Sequence, residues 1–488
     1  MGKGKKSSGL DLPMPLEALG LTKQERAYRS IRDAILNGLL QSGDRLPSSR
    51  ALAERWKIAR GTVESVFDRL QLEGYLVRRV GSGSRVSALI PNSYLNALSD
   101  GDVDKSSSDK DLTVSPVQEK DYRARVGIPF VARLANPMLI TPAEWATQLH
   151  RAMSAIQPEQ MCNIEPQGAF NLRNQIAIYL RKHRGIDCCA EQILITNGIR
   201  HSIDLVSRCV IDVNDSVCVE DPGYSAVHRI FEKAGANIVY APIDTEGIDL
   251  RGVTIPVNCR LAYVTPAHQS PLGVIMSATR RLELLDWAQR QDAWIIEDDY
   301  DSEFNYQSAP LPALKSIDTM GRVIYCGSFN QALFSNLRIG YMIAPPELHK
   351  SILKLWHTIG RSVGVSEQFG LAEFMRRPAF LRHIRRARKE YQTLRNVVIE
   401  ALSSEAAGFF RITGEHAGFH LVLWPSSSID LKGLMKSATE LGIFLQPLEN
   451  SCRNIVLPPA FILGYAALTR AQANHAARQL ASLLVSNG

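Results

Sequence analysis

The chain has 488 residues, 45% of them hydrophobic and 22% charged. This length predicts roughly three domains, and the composition excludes a chain that is disordered as a whole. The net charge is +7, and residues 1–87 hold 16 Lys and Arg against 9 Asp and Glu, so the whole positive excess lies in the first fifth. Such asymmetry indicates an N-terminal segment that meets a polyanion, although a merely solvated basic face remains an alternative.

Targeting and metal signals are missing from the sequence. The eight cysteines form no CxxC pair, and no His or Cys residues stand at zinc-ligand spacing. The basic N-terminus precedes no apolar segment of the kind found in signal peptides, and no run of about 18 apolar residues is present. We therefore expect a cytoplasmic protein with reduced thiols, no metal site and no membrane span.

The first ninety residues predict three helices followed by a hairpin. Apolar residues at helical spacing favour a helix over residues 25–40, with Gly38 near its end. Ser48 is the predicted N-cap of a second helix that reaches Trp56, and a third helix spans residues 62–72 after a short turn. Two short helices joined by a tight turn are typical of a helix-turn-helix, and strands flanking residues 81–83 would form a hairpin wing.

The motifs in this segment resemble those of the GntR family of bacterial regulators. They include Gly43-x-x-Leu46-Pro47-Ser48-x-Arg50, Arg60-x-Thr62-Val63 and Gly81-x-Gly83. The resemblance implies that double-stranded operator DNA is the partner, with a recognition helix in the major groove that begins at Arg60. Its implied DNA-binding residues are Arg50, Arg60, Gly61, Thr62, Arg78, Arg79, Gly83 and Arg85.

Two points about this head stay open at the level of sequence. Glu64 lies within the recognition helix, where it would either accept a hydrogen bond from cytosine or face solvent. A helix-turn-helix that serves only protein contacts is the alternative to DNA binding.

Residues 89–125 are rich in Ser, Asp and Lys and predict a flexible linker. A flexible segment of this length spans roughly 35 Å. That reach is close to the ~34–36 Å between half-sites one DNA turn apart. Two heads tied to one dimeric body could therefore meet neighbouring major grooves.

From residue 126 onward, short apolar strands alternate with amphipathic helices, which predicts an α/β fold with a mostly parallel sheet. Recognisable motifs stand at the strand ends, among them Asn197-Gly198-Ile199, Asp221-Pro222-Gly223-Tyr224, Asp298-Asp299-Tyr300 and Gly327-Ser328-Phe329. These motifs resemble those of fold-type-I aminotransferases, and specifically the MocR subfamily, in which a GntR-type head precedes such a domain. The resemblance implies a winged helix-turn-helix over 18–88 and an aminotransferase-like domain over 126–488. The latter would contain a large domain and a smaller C-terminal α+β subdomain at about 375–488.

The same resemblance implies a site for pyridoxal phosphate. Gly198 and Ile199, at a helix start, would receive the phosphate together with Ser328 and Arg338. Tyr224 would stack on the pyridine ring, and the loop over residues 265–273 would approach the ring hydroxyl. The remaining implied contacts are Asp298 at the ring nitrogen and Tyr300 near the ring oxygen.

Three departures from the aminotransferase pattern bear on the chemistry. Gln331 stands where relatives carry the lysine that binds the cofactor covalently, Asn163 replaces a phosphate-binding tyrosine, and Ile462 replaces an arginine expected for a substrate carboxylate. An amide can neither form an imine nor act as the general base. We therefore expect no catalytic residue, and noncovalent binding of pyridoxal phosphate or another small effector at best.

Three functions remain at this point. The first is a DNA-binding transcription regulator whose aminotransferase-like domain forms a homodimer and senses an effector. The second is a working aminotransferase with an appended DNA-binding head, which Gln331 opposes. The third is a regulator whose large domain binds no ligand.

Overall fold

The computed structural model describes residues 21–36, 38–79, 83–87, 127–162, 165–306, 312–359 and 363–488. The chain divides into two compact units, Met1–Asp121 and Tyr122–Gly488. The predicted linker over 89–125, the departure at Asn163 and the side chain of Arg79 lie outside the described residues. The predicted domain boundaries stay predictions.

The N-terminal unit has three helices and a two-stranded antiparallel sheet. These elements are α1 (Lys23–Leu36), α2 (Ser49–Trp56), α3 (Arg60–Leu72), β1 (Leu76–Arg79) and β2 (Gly83–Val86). As the sequence predicted, the Ser48 hydroxyl caps α2 by accepting a hydrogen bond from the Ala51 N–H. The apolar faces of the three helices enclose one core that includes Ile31, Leu52 and Phe67.

The first helix is shorter than the sequence predicted, since it ends at Leu36 rather than near Leu40. Gly38 adopts a positive φ of 71°, which turns the chain out of the helix. The N–H of Leu40 then bonds back to the Ala34 carbonyl at 2.9 Å, and the Leu40 side chain is buried. The apolar Leu40 thus belongs to the core of this unit without belonging to the helix.

The larger unit is built on an eight-stranded sheet with the order β3-β10-β9-β8-β7-β4-β5-β6. Strands β9, β8, β7, β4 and β5 run parallel, and β10 and β6 pair antiparallel with their neighbours. The strands are β3 (Ile193–Thr196), β4 (Ser216–Asp221), β5 (Asn237–Asp244), β6 (Gly247–Ile248), β7 (Cys259–Val264), β8 (Trp294–Asp299), β9 (Val323–Ser328) and β10 (Gly340–Ile343).

Helices cover both faces of this sheet because its strands are apolar on both sides. In β4, Val217 and Val219 pack into one core, whereas Cys218 between them packs into another on the opposite face. The helices up to this point of the unit are α4 (Pro142–Met153), α5 (Pro158–Cys162), α6 (Phe170–His183), α7 (Ile199–Val210), α8 (Ser225–Lys233), α9 (Ala278–Arg290) and α10 (Pro346–Ile359). The predicted α/β class is confirmed.

The C-terminal part combines a small antiparallel sheet with long helices. Its strands, in the order β11-β12-β14-β13, are β11 (Phe410–Thr413), β12 (His420–Pro425), β13 (Gln446–Pro447) and β14 (Phe461–Gly464). Its helices are α11 (Val365–Arg376), α12 (Pro378–Ala406), α13 (Leu431–Glu440) and α14 (Arg470–Ser486). Within the described ranges no helix is long and apolar enough to cross a bilayer. The same ranges contain no group of three or more His, Cys, Asp or Glu residues that could hold a metal ion.

Candidate functional site

The N-terminal unit presents basic side chains at the start of α3. Arg60 is the first residue of this helix, and two thirds of its side chain is exposed. The preceding Ala59 provides no side-chain cap, so no capping side chain accepts from the N–H groups at the start of α3. The predicted contacts Arg50 and Gly61 are also exposed, and Thr62 is half-buried. A helix start of this kind attracts phosphate oxygens through its N–H groups and its dipole.

The carboxylate of Glu64 is held by hydrogen bonds within the N-terminal unit. Its carboxylate accepts hydrogen bonds from the Ser49 hydroxyl and, at 2.5 Å, from Arg78 Nη2, and it lies 3.8 Å from Arg60. The Ser49 hydroxyl and the Arg78 guanidinium hold the pKa of Glu64 below its usual range. Glu64 therefore joins the first residue of α2, the start of α3 and the first wing strand within the unit.

The predicted wing residues differ in how far they are held by the protein itself. Arg78 bonds to Glu64 through Nη2 and to Asp68 through Nη1 at 2.5 Å, and about a third of its side chain remains exposed. Arg85 is exposed, and its Nη1 donates to the Gly43 carbonyl at 2.8 Å. Gly83 is exposed with a positive φ of 79°. The DNA contacts of all these residues stay predictions.

In the larger unit, the predicted phosphate-binding residues come together where β3 and β9 end. Gly198, with φ of 84°, is the N-cap residue of α7 and makes no side-chain cap, so the N–H groups of Ile199 and Arg200 lack intrahelical acceptors. Ser328 ends β9, and Arg338 Nη2 donates to the Asn197 carbonyl beside the helix start at 3.3 Å. An anion placed here would meet helix N–H groups, a hydroxyl and a guanidinium.

Strand β8 ends with three consecutive carboxylates, and the middle one lies in a different environment from its two neighbours. Asp298 accepts a 2.5 Å hydrogen bond from the Tyr263 hydroxyl, and burial raises the pKa of Asp298 to about 7. Its neighbours Glu297 and Asp299 do not line the same cavity: Glu297 accepts backbone N–H groups and Asp299 bonds to Arg184. Only Asp298 of the three is available to a ligand.

Tyr300, predicted near the ring oxygen, follows this strand. Its hydroxyl lies 3.2 Å from His268 Nδ1, which in turn bonds to Asp301 at 2.7 Å. Burial raises the pKa of Tyr300 well above the usual range of a phenol. The hydroxyl therefore remains protonated and can act as a hydrogen-bond donor at neutral pH.

These residues surround one cavity of about 280 Å³. Its lining includes every predicted cofactor residue except Gly198, together with Gln331. Gln331 Nε2 donates to the Arg133 carbonyl at 3.1 Å, while its buried Oε1 has no hydrogen-bond partner among the described residues. The described lining contains no lysine. Ile462 lies elsewhere, buried in β14 within an apolar cluster.

Sequence reasoning missed several lining residues. They are Arg133, Arg200, Tyr263, Ser270, Asn330, Ser335, Phe419 and His420. Some had a usable signal, since Arg200 follows Ile199 at the start of α7 and Ser270 belongs to the loop expected to approach the ring hydroxyl. Arg133 had none, because only the folding of the chain brings it beside Gln331, 198 residues away.

Comparison with known proteins agrees with this geometry. Residues 23–86 match the family model "Bacterial regulatory proteins, gntR family", and residues 138–480 match "Aminotransferase class I and II". The probable rhizopine catabolism regulatory protein MocR of Rhizobium meliloti is 33% identical over 90% of this chain and 89% of that protein. The HTH-type pyridoxine biosynthesis transcriptional regulator PdxR of Corynebacterium glutamicum is 32% identical over 80% and 82%.

Among solved structures, an archaeal alanine:glyoxylate aminotransferase superposes with a TM-score of 0.67 at 26% identity, covering 74% of this chain and 91% of that one. The larger unit thus has the fold of an aminotransferase of class I and II. The chain belongs to the HTH-type transcriptional regulators that join a GntR-type head to such a domain, the family of MocR. The family resemblance and the fold class drawn from the motifs are confirmed.

Proposed function

We propose that this protein is a sequence-specific DNA-binding transcription regulator whose aminotransferase-like domain forms a homodimer, binds a small phosphate-bearing effector noncovalently, and does not catalyse transamination. The observation that carries the proposal against catalysis is Gln331, an amide at the position where the motif resemblance implies a lysine, in a cavity whose described lining offers no lysine.

The head supports DNA binding by its charge and its exposed helix start. Arg60 can grip guanine O6 and N7 with two hydrogen bonds, a contact that discriminates between bases by about 1–3 kcal/mol. Arg50 and Arg85 are exposed and suited to phosphates, which position a protein on DNA without reading its sequence. The relatives MocR and PdxR are named as regulators, which supports the same function for this chain.

The residues of the cavity fit part of pyridoxal phosphate. Ser328, Arg338 and the start of α7 suit its phosphate, and Asp298 suits the ring nitrogen. When bound, this cofactor supplies an electron sink for reactions of amino acids. Gln331 cannot bond to it covalently or move the substrate proton, because an amide is neither a nucleophile nor a base at neutral pH. The chain could hold the cofactor noncovalently at best.

A working aminotransferase with a DNA-binding head is the second candidate, which the retained Asp298 and Tyr300 favour. Two measurements on the full-length protein separate the candidates. We expect a gel shift and a footprint upstream of the protein's own gene, and no amino-group transfer from a panel of amino acids to 2-oxo acids with added pyridoxal phosphate. Turnover well above that of a denatured control would favour the enzyme, and absence of any footprint would contradict the regulator.

A further inference from the structure

Arg133, which lines the cavity, has an unusual backbone conformation. Its φ is 65°, in the left-handed region that side chains other than glycine rarely adopt. Two hydrogen bonds fix the chain around it, from Gln331 Nε2 to the Arg133 carbonyl at 3.1 Å and from the Ala135 N–H to Ser335 Oγ at 3.4 Å. An unfavourable conformation maintained in this way often marks a functional residue.

The guanidinium of Arg133 lies on the ring of Tyr224. Its Cζ is 4.1 Å from the centre of that ring, and its Nη2 donates to Ser270 Oγ at 3.0 Å. Arg133, Tyr224 and Ser270 all line the cavity, so the guanidinium covers one face of a tyrosine ring that belongs to the cavity wall. A flat ligand ring stacked on this side of Tyr224 would need the same space.

The cavity is also rich in positive charge. Arg133, Arg200 and Arg338 line it, and Asp298 is the single carboxylate in its described lining. Burial raises the pKa of Asp298 to about 7, so near neutral pH this carboxylate offsets less than one positive charge. A ligand with two acidic groups would therefore be favoured over a neutral or singly charged one.

Two sets of residues in the cavity suit different acidic groups. Arg338 and the start of α7 suit a phosphate, as described above. Arg133 presents a planar set of donors that matches the two oxygens of a carboxylate. Ile462 is buried in an apolar cluster and provides no cation for a carboxylate. Arg133, which lines the cavity, has the charge and the donors to bind one.

We infer that Arg133 makes this pocket select an acyclic organic anion that carries both a phosphate and a carboxylate over a phosphorylated pyridine. This inference rests on the proposed noncovalent effector site and specifies the class of its ligand. Arg133 serves two roles, since it binds the carboxylate and covers the face of Tyr224 on which a ring would stack.

Calorimetric titration of the full-length protein with three probes tests the inference. The probes are 3-phosphoglycerate, glycerol 3-phosphate, which lacks the carboxylate, and pyridoxal 5′-phosphate. We expect the protein to bind 3-phosphoglycerate at least tenfold more tightly than either other probe. In Arg133→Gly the preference over glycerol 3-phosphate should fall to about twofold or less, and affinity for pyridoxal 5′-phosphate should rise about tenfold.

Glycine is chosen because it adopts a positive φ without strain, so this variant should fold at least as well as the original. Arg133→Lys keeps the charge but loses the planar donors, and should retain part of the preference for the carboxylate. Arg251→Ala is the matched control, since Arg251 is exposed, pairs with Asp249 and lies outside the cavity. It should change none of the three affinities.

The inference is overturned if the unaltered protein binds pyridoxal 5′-phosphate as tightly as Arg133→Gly does, if 3-phosphoglycerate and glycerol 3-phosphate bind equally, or if no probe binds. The gel shift with operator DNA distinguishes this failure from that of the proposed function. A protein that shifts DNA but shows no preference among the probes remains a regulator and lacks the proposed ligand class.

Discussion

Glu64 on the recognition helix and Arg78 on the first wing strand are joined by a 2.5 Å hydrogen bond between Oε2 and Nη2. Both side chains are about one-third exposed, so the pair is only partly screened by solvent. Because Glu64 also binds Ser49, one carboxylate fixes the relative positions of α2, α3 and the wing.

Glu64→Gln should therefore lower the free energy of unfolding of the N-terminal unit by about 1 kcal/mol at pH 7, the range of a partly exposed charged hydrogen bond. The pKa of Glu64 is lowered in the folded state, so its contribution is present above the usual glutamate pKa and is lost as the pH falls through the lower folded value. Calorimetric unfolding of the unaltered protein and the variant at pH 7 and pH 3 measures the loss of stability and its dependence on pH. Asp68→Asn, at the more exposed partner of Arg78, is the control and should have a smaller effect.

Arg60→Ala should lower affinity for the operator at least tenfold and remove its preference over unrelated DNA, because a two-bond contact with guanine would be lost. The proposed dimer should persist, since Arg60 is an exposed residue of the head. Quantitative gel shifts on operator and scrambled DNA, with size-exclusion chromatography, measure both. Unchanged affinity and base preference would show that the recognition helix has been assigned wrongly.

Arg85→Ala should weaken binding to all DNA sequences similarly. An exposed arginine on the wing is suited to a phosphate, and each lost phosphate contact reduces the slope of log K against log salt by about one. Binding measured over a range of salt concentrations checks this. A change confined to the operator sequence would instead assign Arg85 to reading bases.

The sequence predicted the positions of the chemical groups better than their partners. Asp298, Ser328 and Gly198 could be assigned because ligand-binding residues in α/β folds gather at the ends of strands, and each stands in a recognisable local motif. The bond between Glu64 and Arg78 could not, because it depends on how the hairpin packs against α3. From helical spacing alone, the Glu64 side chain was expected to face either solvent or DNA.

Strand β10 could not be predicted for a related reason. Gly340–Ile343 is only four residues long, and it pairs antiparallel with both β3 and β9. Its place in the sheet brings Gly340 against Gly198, where an added Cβ would lie 2.7 Å from the Gly198 Cα. This close approach lies at the start of α7, and it is a long-range contact that no local pattern records.

Asp298→Asn should change how the stability of the larger unit depends on pH. Burial raises the pKa of Asp298 from 3.8 to about 7, so the folded state retains a proton that the unfolded chain has lost. Stability therefore falls as the pH rises from about 4 to 7. Between pH 5 and pH 8 the unaltered protein should lose on the order of 2 kcal/mol more than the variant. Equal losses, measured by calorimetry, would show that Asp298 is not the titrating group.

The last prediction concerns the lysine position. Incubated with pyridoxal 5′-phosphate and reduced with borohydride, the unaltered protein should carry no adduct at Gln331, whereas Gln331→Lys should gain one. The reason is that Asp298, Tyr300, Ser328 and Arg338 still line the cavity, so a single amine restores the missing nucleophile. Any transaminase activity gained should stay poor, because an added amine does not by itself orient a substrate for reaction.

Peptide mass spectrometry after reduction locates the label. Lys436, which is exposed in the same unit and is not among the described cavity residues, reports the background level of surface labelling. If Arg133 covers the ring face of Tyr224, the double variant Gln331→Lys, Arg133→Gly should be labelled more completely than Gln331→Lys alone, because the cofactor no longer competes with the guanidinium.

An adduct in the unaltered peptide would refute the alignment of Gln331 with the lysine. Absence of label in both variants would show that the cavity does not admit the cofactor, leaving the larger unit as a dimerisation scaffold until another ligand is found.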